Sequence, residues 1–291
     1  MISRRTLLTG SLLTGAALST TRGFAAAWDT ALQNAIGSLE RRHGGRLGVA
    51  LLNTNGGKIV AYRGDERFPL CSTFKCLAAA FVLARVDRNE ENLSRKIIYK
   101  KSDLVAYSPT TEKHVGSGLT MAEICEAAIT LSDNTAGNLM LDSFGGPQGL
   151  TKYLRSLGDN LTRLDRRETE LNEAKPDDPR DTTTPVAMLE TLRKTVLGTA
   201  LSDASRAQLT AWLVANKTGD KRLRAGLPQD WKVGDKTGSG DNNSANDVAV
   251  VWPPGRAPVI VTAYYTGSTA SDEERNVILA DVGRFAEAIV T

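Results

Sequence analysis

Strand-like sequence stands at both ends of this chain and is nearly missing from its middle, and no other feature restricts the fold as tightly. Residues 46–52 and 58–62 are short β-favouring runs on either side of Asn53-Thr54-Asn55-Gly56-Gly57, which has the turn chemistry of a hairpin. Three more runs follow far downstream, at 232–238, 248–252 and 259–265. Between them, from Thr73 to about Leu201, the texture is Ala- and Leu-rich, with helical segments at 77–86, 121–131, 138–141 and 185–196. Residues 28–43 form an amphipathic helix through Leu32, Ala35, Ile36 and Leu39, and a closing helix spans 272–290. A sheet built from both chain ends is the economical solution. The expected fold class is α/β, with 28–68 and 214–291 making one domain and 69–213 a helical domain inserted into it. Ligand sites favour such boundaries.

The first 27 residues read separately. Arg4-Arg5 precede an apolar run from Leu7 to Leu18, and Ala25-Ala26-Ala27 offers small residues for cleavage. Ser3-Arg4-Arg5-Thr6-Leu7-Leu8 has the look of a twin-arginine export signal, which implies a periplasmic protein that crosses the membrane already folded. The run is shorter than the roughly 20 residues a spanning helix needs. The formal charge of the whole chain is +3, and residues 1–27 hold Arg4, Arg5, Arg22 and no acids, so 3 − 3 leaves a mature charge of 0. Nucleic-acid and membrane-surface binding lose their electrostatic basis.

Cys71, Cys76 and Cys125 are an odd number, so at least one thiol is free, and folding in a reducing cytoplasm favours three buried thiols. His43 and His114 are the only histidines and have no partner at zinc-ligand spacing, so no metal and no cofactor are expected.

The chemistry lies in three short motifs. Ser72-Thr73-Phe74-Lys75 starts an apolar helical run, which sets a hydroxyl and an amine on one helix face. A Ser-x-x-Lys is expected roughly once by chance in a chain this long. Here it is followed by Ser132-Asp133-Asn134 and then by Lys236-Thr237-Gly238, each a chance event of roughly a few per cent. The ordered conjunction carries the weight.

With these motifs the chain resembles the class A serine β-lactamases, whose set is S-x-x-K, S-D-N and K-T-G, and the resemblance covers about residues 28–291. It implies an antiparallel sheet flanked by helices with a helical domain set against it, attack of a serine on the β-lactam carbonyl of penicillins and cephalosporins, and hydrolysis of the acyl-enzyme by water, conferring resistance. Ser72 would be the nucleophile, at a helix start where free N–H groups favour developing negative charge. Lys75 could take its proton only if neighbouring charges lower its pKa. Ser132 would pass a proton to the departing nitrogen, Asn134 would bond Lys75 and the substrate amide, and Asp133 would hold the loop.

Lys236-Thr237-Gly238-Ser239 reads as a strand along which substrate could lie, Gly238 removing a Cβ from a close backbone approach. By resemblance, Lys236 and Thr237 recognise the substrate carboxylate, and the N–H groups of Ser72 and Ser239 form an oxyanion hole. Arg166-Arg167-Glu168-Thr169-Glu170-Leu171-Asn172 matches the start of the family's omega loop, 166–181, which Arg166 and Asp181 would close. Glu168, supported by Asn172, would hold the deacylating water. Whether Lys75 or Glu168 activates Ser72 stays open. Tyr107 matches an aromatic wall of the cleft. Ala245 stands where many members carry a carboxylate-binding arginine, and Arg222 matches the position from which others supply it.

Thr169 replaces the proline common after the catalytic Glu. By resemblance, two bridges seen in the family lack a partner here: Ala79 occupies the partner position of Cys125, and Gly240 that of Cys71, the latter arguing against a carbapenemase. Ser239-Gly240-Asp241 resembles members that hydrolyse oxyimino-cephalosporins. A penicillin-binding D,D-peptidase shares the three motifs and would lack Glu168, while a noncatalytic sensor would remain acylated. The expected partner is a small β-lactam, and the expected state a monomer.

Overall fold

The computed structural model describes residues 16–290, with side chains from residue 30 onward. Arg4, Arg5 and most of the expected leader lie outside the described residues. Helix α1 (Ala16–His43) starts earlier than expected, through an alanine-rich stretch that favours helix. It leads into β1 (Arg46–Asn53) and β2 (Ile59–Tyr62), the expected hairpin. The short β3 (Phe68–Pro69) precedes α2 (Phe74–Asp87). Then come β4 (Lys96–Ile97), β5 (Leu119–Thr120), α3 (Met121–Thr130), α4 (Asn134–Ser143) and α5 (Gly146–Ser156). After β6 (Thr182–Thr183) follow α6 (Pro185–Leu192) and α7 (Asp203–Val214). The chain closes with β7 (Lys232–Gly240), β8 (Ser244–Trp252), β9 (Val259–Thr266) and α8 (Asp272–Ala288).

Both chain ends do build one sheet. Its order is β2-β1-β9-β8-β7, antiparallel throughout, with β1 from the first segment paired along its length to β9 from the last. Alternation along each strand sends side chains to two separate cores. Leu47, Val49 and Leu51 of β1, with Val261, Ala263 and Tyr265 of β9, pack with Leu32, Ile36 and Leu39 of α1 and with Ile278 and Val282 of α8. Ala50, Leu52, Ile260 and Tyr264 face the other way and join the core of α2, α3, α4 and α7. A sheet buried on both faces needs continuous apolar runs, and this is why its strands were legible. Gly48 permits a close crossing: a Cβ there would lie 2.3 Å from the Phe68 ring.

Helix α2 is the pillar of the helical half. Residues Phe74 to Ala80 and Val82 to Ala84 are all buried, because the helix is surrounded on every side. Its N-terminal turn, Cys71–Thr73, lies against β7, where the two halves of the molecule meet. Helices α5 and α7 were not among the expected segments. Gly146-Pro147 reads as a turn, although Pro suits the first turn of a helix, and α7 opens on a polar stretch whose Ser202 cap accepts the Ser205 N–H at 3.2 Å.

Candidate active site

Ser72 sits in the tight turn that runs into α2, so Lys75 stands one turn on and its Nζ donates to Ser72 Oγ at 2.9 Å. The same ammonium donates to Ser132 O at 2.8 Å and Asn134 Oδ1 at 2.6 Å, and it pairs with Glu168 Oε1 at 2.9 Å. Ser72 Oγ donates to that Glu168 oxygen at 3.3 Å. Lys75 has no exposed surface, and burial pushes its pKa down against the pull of Glu168 and Asp133. The condition for Lys75 to take a proton, a lowered pKa, is met by desolvation, while the neighbouring charges work against it.

The Ser132-Asp133-Asn134 triplet divides its labour. Asp133 caps α4 by accepting the Ala136 N–H at 2.8 Å and ties down the preceding loop through Thr110 N–H at 3.0 Å and Thr111 N–H at 2.9 Å. Asn134 donates its amide to Ala106 O at 2.8 Å, and its N–H to Tyr107 O at 3.0 Å. The Tyr107 backbone is thereby fixed while the residue stays 61% exposed. Ser132 and Tyr107 both have left-handed backbones, with φ of 58° and 61°.

From the other side, β7 brings in Lys236, whose Nζ donates to Ser132 Oγ at 3.0 Å. Burial, then the neighbouring Lys75 charge, lowers the Lys236 pKa to about 7. Thr237, next along the strand, has its Oγ1 2.5 Å from Thr218 Oγ1. A Cβ on Gly238 would lie 3.0 Å from Leu70 O and 3.2 Å from Ser72 N. Gly238 thus leaves room for the close backbone approach of the Ser72 turn. Ser239 is exposed at the strand end and pairs with Ala245. Arg222 reaches this corner, donating to Gly238 O at 2.8 Å, Asn246 O at 2.7 Å and Ser239 Oγ at 2.7 Å.

Across the loop of 166–181, Arg166 Nε meets Asp181 Oδ2 at 2.6 Å, and Asp181 also accepts the N–H groups of Asp165 and Arg166 at 2.7 and 2.9 Å. Asn172 Nδ2 donates to Glu168 Oε2 at 2.6 Å. The Glu168-Thr169 peptide is cis. The end of β7 is laced to this loop by Asp241 N–H to Asn172 O at 2.8 Å. Asn138 escaped the sequence reading. It grips Glu168 from both sides, accepting its N–H at 2.9 Å and donating to its carbonyl at 3.0 Å, and its signal was the four-residue helical spacing from Asn134.

The three cysteines are buried and free. Cys71 Sγ lies 2.8 Å from where a Gly240 Cβ would stand, so the partner position is real and empty of sulfur, and burial pushes this thiol up to about 12. Among the described residues no group of three or more His, Cys, Asp and Glu is placed to hold a metal.

This arrangement meets its counterparts in known proteins. Residues 30–289 match the model of the beta-lactamase enzyme family. The β-lactamase OXY-1 of Klebsiella oxytoca is 51% identical over 250 residues, 86% of each chain. CTX-M-8 of Citrobacter amalonaticus is 49% identical over 271 residues, 92% of this chain and 93% of that one. Among solved structures, an ancestral (GNCA) class A β-lactamase superposes with a TM-score of 0.88 at 64% identity, covering 89% of this chain and 99% of its own. The chain belongs to the class A β-lactamases, a family of hydrolases.

Proposed function

We propose that the protein hydrolyses the β-lactam amide of penicillins and cephalosporins through a Ser72 acyl-enzyme and thereby confers resistance to these antibiotics. The observation that carries this reading is the Glu168 carboxylate, 4% exposed, whose two oxygens reach Ser72 Oγ and Lys75 on one side and Asn172 on the other. Ser72 Oγ attacks the lactam carbonyl and loses its proton either to Lys75 in its neutral amine form or, through a water, to Glu168, with both side chains beside the hydroxyl. The N–H groups of Ser72 and Ser239 receive the oxyanion. Ser132, between Lys75 and Lys236, delivers a proton to the departing nitrogen as the C–N bond breaks.

Lys236, Thr237 and Arg222 bind the substrate carboxylate, while Asn134 and Tyr107 border the acylamino side. Gly238 lets β7 lie against the nucleophile's turn. Glu168 and Asn172 then hold a water whose proton passes to Glu168 as its oxygen attacks the ester carbonyl, and Ser72 is regenerated. The cleft lies between the α/β unit of 28–68 and 214–291 and the helical unit of 69–213. A D,D-peptidase with the same three motifs would lack this buried carboxylate over the acylated serine.

The test is Glu168→Ala. With a penicillin added, this variant should accumulate a protein mass increased by one intact penicillin, while the wild type returns to its free mass. Rapid multiple turnover by the variant would remove Glu168 from the deacylating role.

A further inference from the structure

Thr218 lies outside every motif, yet its hydroxyl is placed where it decides what Thr237 can do. Thr218 Oγ1 is 2.9 Å from Asn216 Oδ1 and 2.5 Å from Thr237 Oγ1. The identity of the Asn216 oxygen is fixed by its other neighbours: the Thr218 backbone N–H, which can only donate, meets it at 3.1 Å. The Asn216 amide nitrogen accordingly points the other way, donating to the buried Asp235 Oδ2 at 2.5 Å, and Asp235 is held in turn by Arg224.

The protons can now be counted. One hydrogen sits between the two threonine oxygens, and each hydroxyl has one to give. If Thr218 gives its proton to Asn216, Thr237 must give its own to Thr218, and Thr237 then turns a lone pair toward the cleft. A lone pair repels a carboxylate. If the chain reverses, Thr218 donates to Thr237 and Thr237 donates outward. Asn216 Oδ1 still holds the Thr218 N–H, so the reversal gives up one hydrogen bond, Thr218 Oγ1 to Asn216 Oδ1, which the bond to the arriving anion replaces, and it needs only two hydroxyl rotations with no proton leaving either oxygen.

We propose that Thr218 is a positioning residue for substrate carboxylates: its hydroxyl turns from Asn216 to Thr237 when the anion arrives, and so frees the Thr237 proton for the ligand. The inference rests on the reading that Thr237 and Arg222 bind the carboxylate. Two aligned hydroxyls polarise each other, which strengthens the outer bond to the anion. The Asp235–Asn216 contact keeps the amide from flipping and so makes the reversal available.

The experiment compares a penicillin with its methyl ester, which lacks the anion, in the wild type and in Thr218→Val, Thr218→Ala and Thr218→Ser. Thr218→Val and Thr218→Ala should raise KM for the acid about fivefold with kcat within about twofold, and leave the ester unchanged. Thr218→Ser, which keeps the hydroxyl, should behave as wild type. Equal effects of Thr218→Val and Thr218→Ala on acid and ester, or no effect on either, would overturn the proposal. Failure of the underlying reading looks different: Thr237→Val and Arg222→Ala would then not discriminate acid from ester.

Discussion

Lys75 and Lys236 are two ammonium groups without exposed surface, bridged by Ser132 Oγ, and their neighbourhood decides the pH at which each carries charge. Lys75 has Glu168 beside it, whereas the largest influence on Lys236 after burial is the like charge of Lys75. With its pKa lowered to about 7, Lys236 is a cation below that pH and neutral above it. If its charge attracts the substrate carboxylate, kcat/KM should fall as pH rises through about 7. Lys236→Arg should lose that alkaline limb, since a guanidinium stays charged. A wild-type profile that is flat across neutrality would remove the charge of Lys236 from recognition.

At this scale the sequence was generous with the motif residues and silent on their partners. Ser72, Lys75, Ser132, Glu168 and Lys236 stood in recognisable spacings. Thr218 and Asn216 did not, because their relation to Thr237 and Asp235 arises from a loop folding back on β7, and no local spacing encodes that.

The loop of 166–181 has little regular structure, and its shape depends on side-chain contacts. Arg166 holds Asp181 and Glu173, and Asp181 is 1% exposed. Arg166→Ala would leave that buried carboxylate with backbone donors alone, at a cost of about 3 kcal/mol. Urea denaturation should show this loss. Because Glu168 and Asn172 ride on the loop, the steady-state share of acyl-enzyme should rise in the same variant, deacylation slowing more than acylation. Unchanged stability together with unchanged acyl-enzyme would contradict the closure. The Arg166–Asp181 pairing was readable only through family resemblance, since nothing in residues fifteen apart requires contact. Elements with strong periodicity were read from physics alone: the strands of the central sheet, buried on both faces, and α2, buried all round. Helix α5 was hidden behind Gly146-Pro147, and α7 behind a polar first turn.

For the molecule as a whole, the pairing of β1 with β9 commits the two chain ends to one sheet and leaves the helical middle to pack against one of its faces. The turn of Ser72 comes from the first third of the chain and Lys236 from the last, and they meet because that turn presses on β7. The expectation of a sheet made from both ends rested on texture at the chain termini. The close approach at Gly238, which sets the site's geometry, is a tertiary fact that texture does not carry. A hydrolase differs from a protein that stays acylated in that the acyl group leaves. The direct measurement is to mix the protein with a chromogenic cephalosporin and count product per enzyme: many equivalents released at constant rate is the expected result, and a stop at one equivalent would contradict the account.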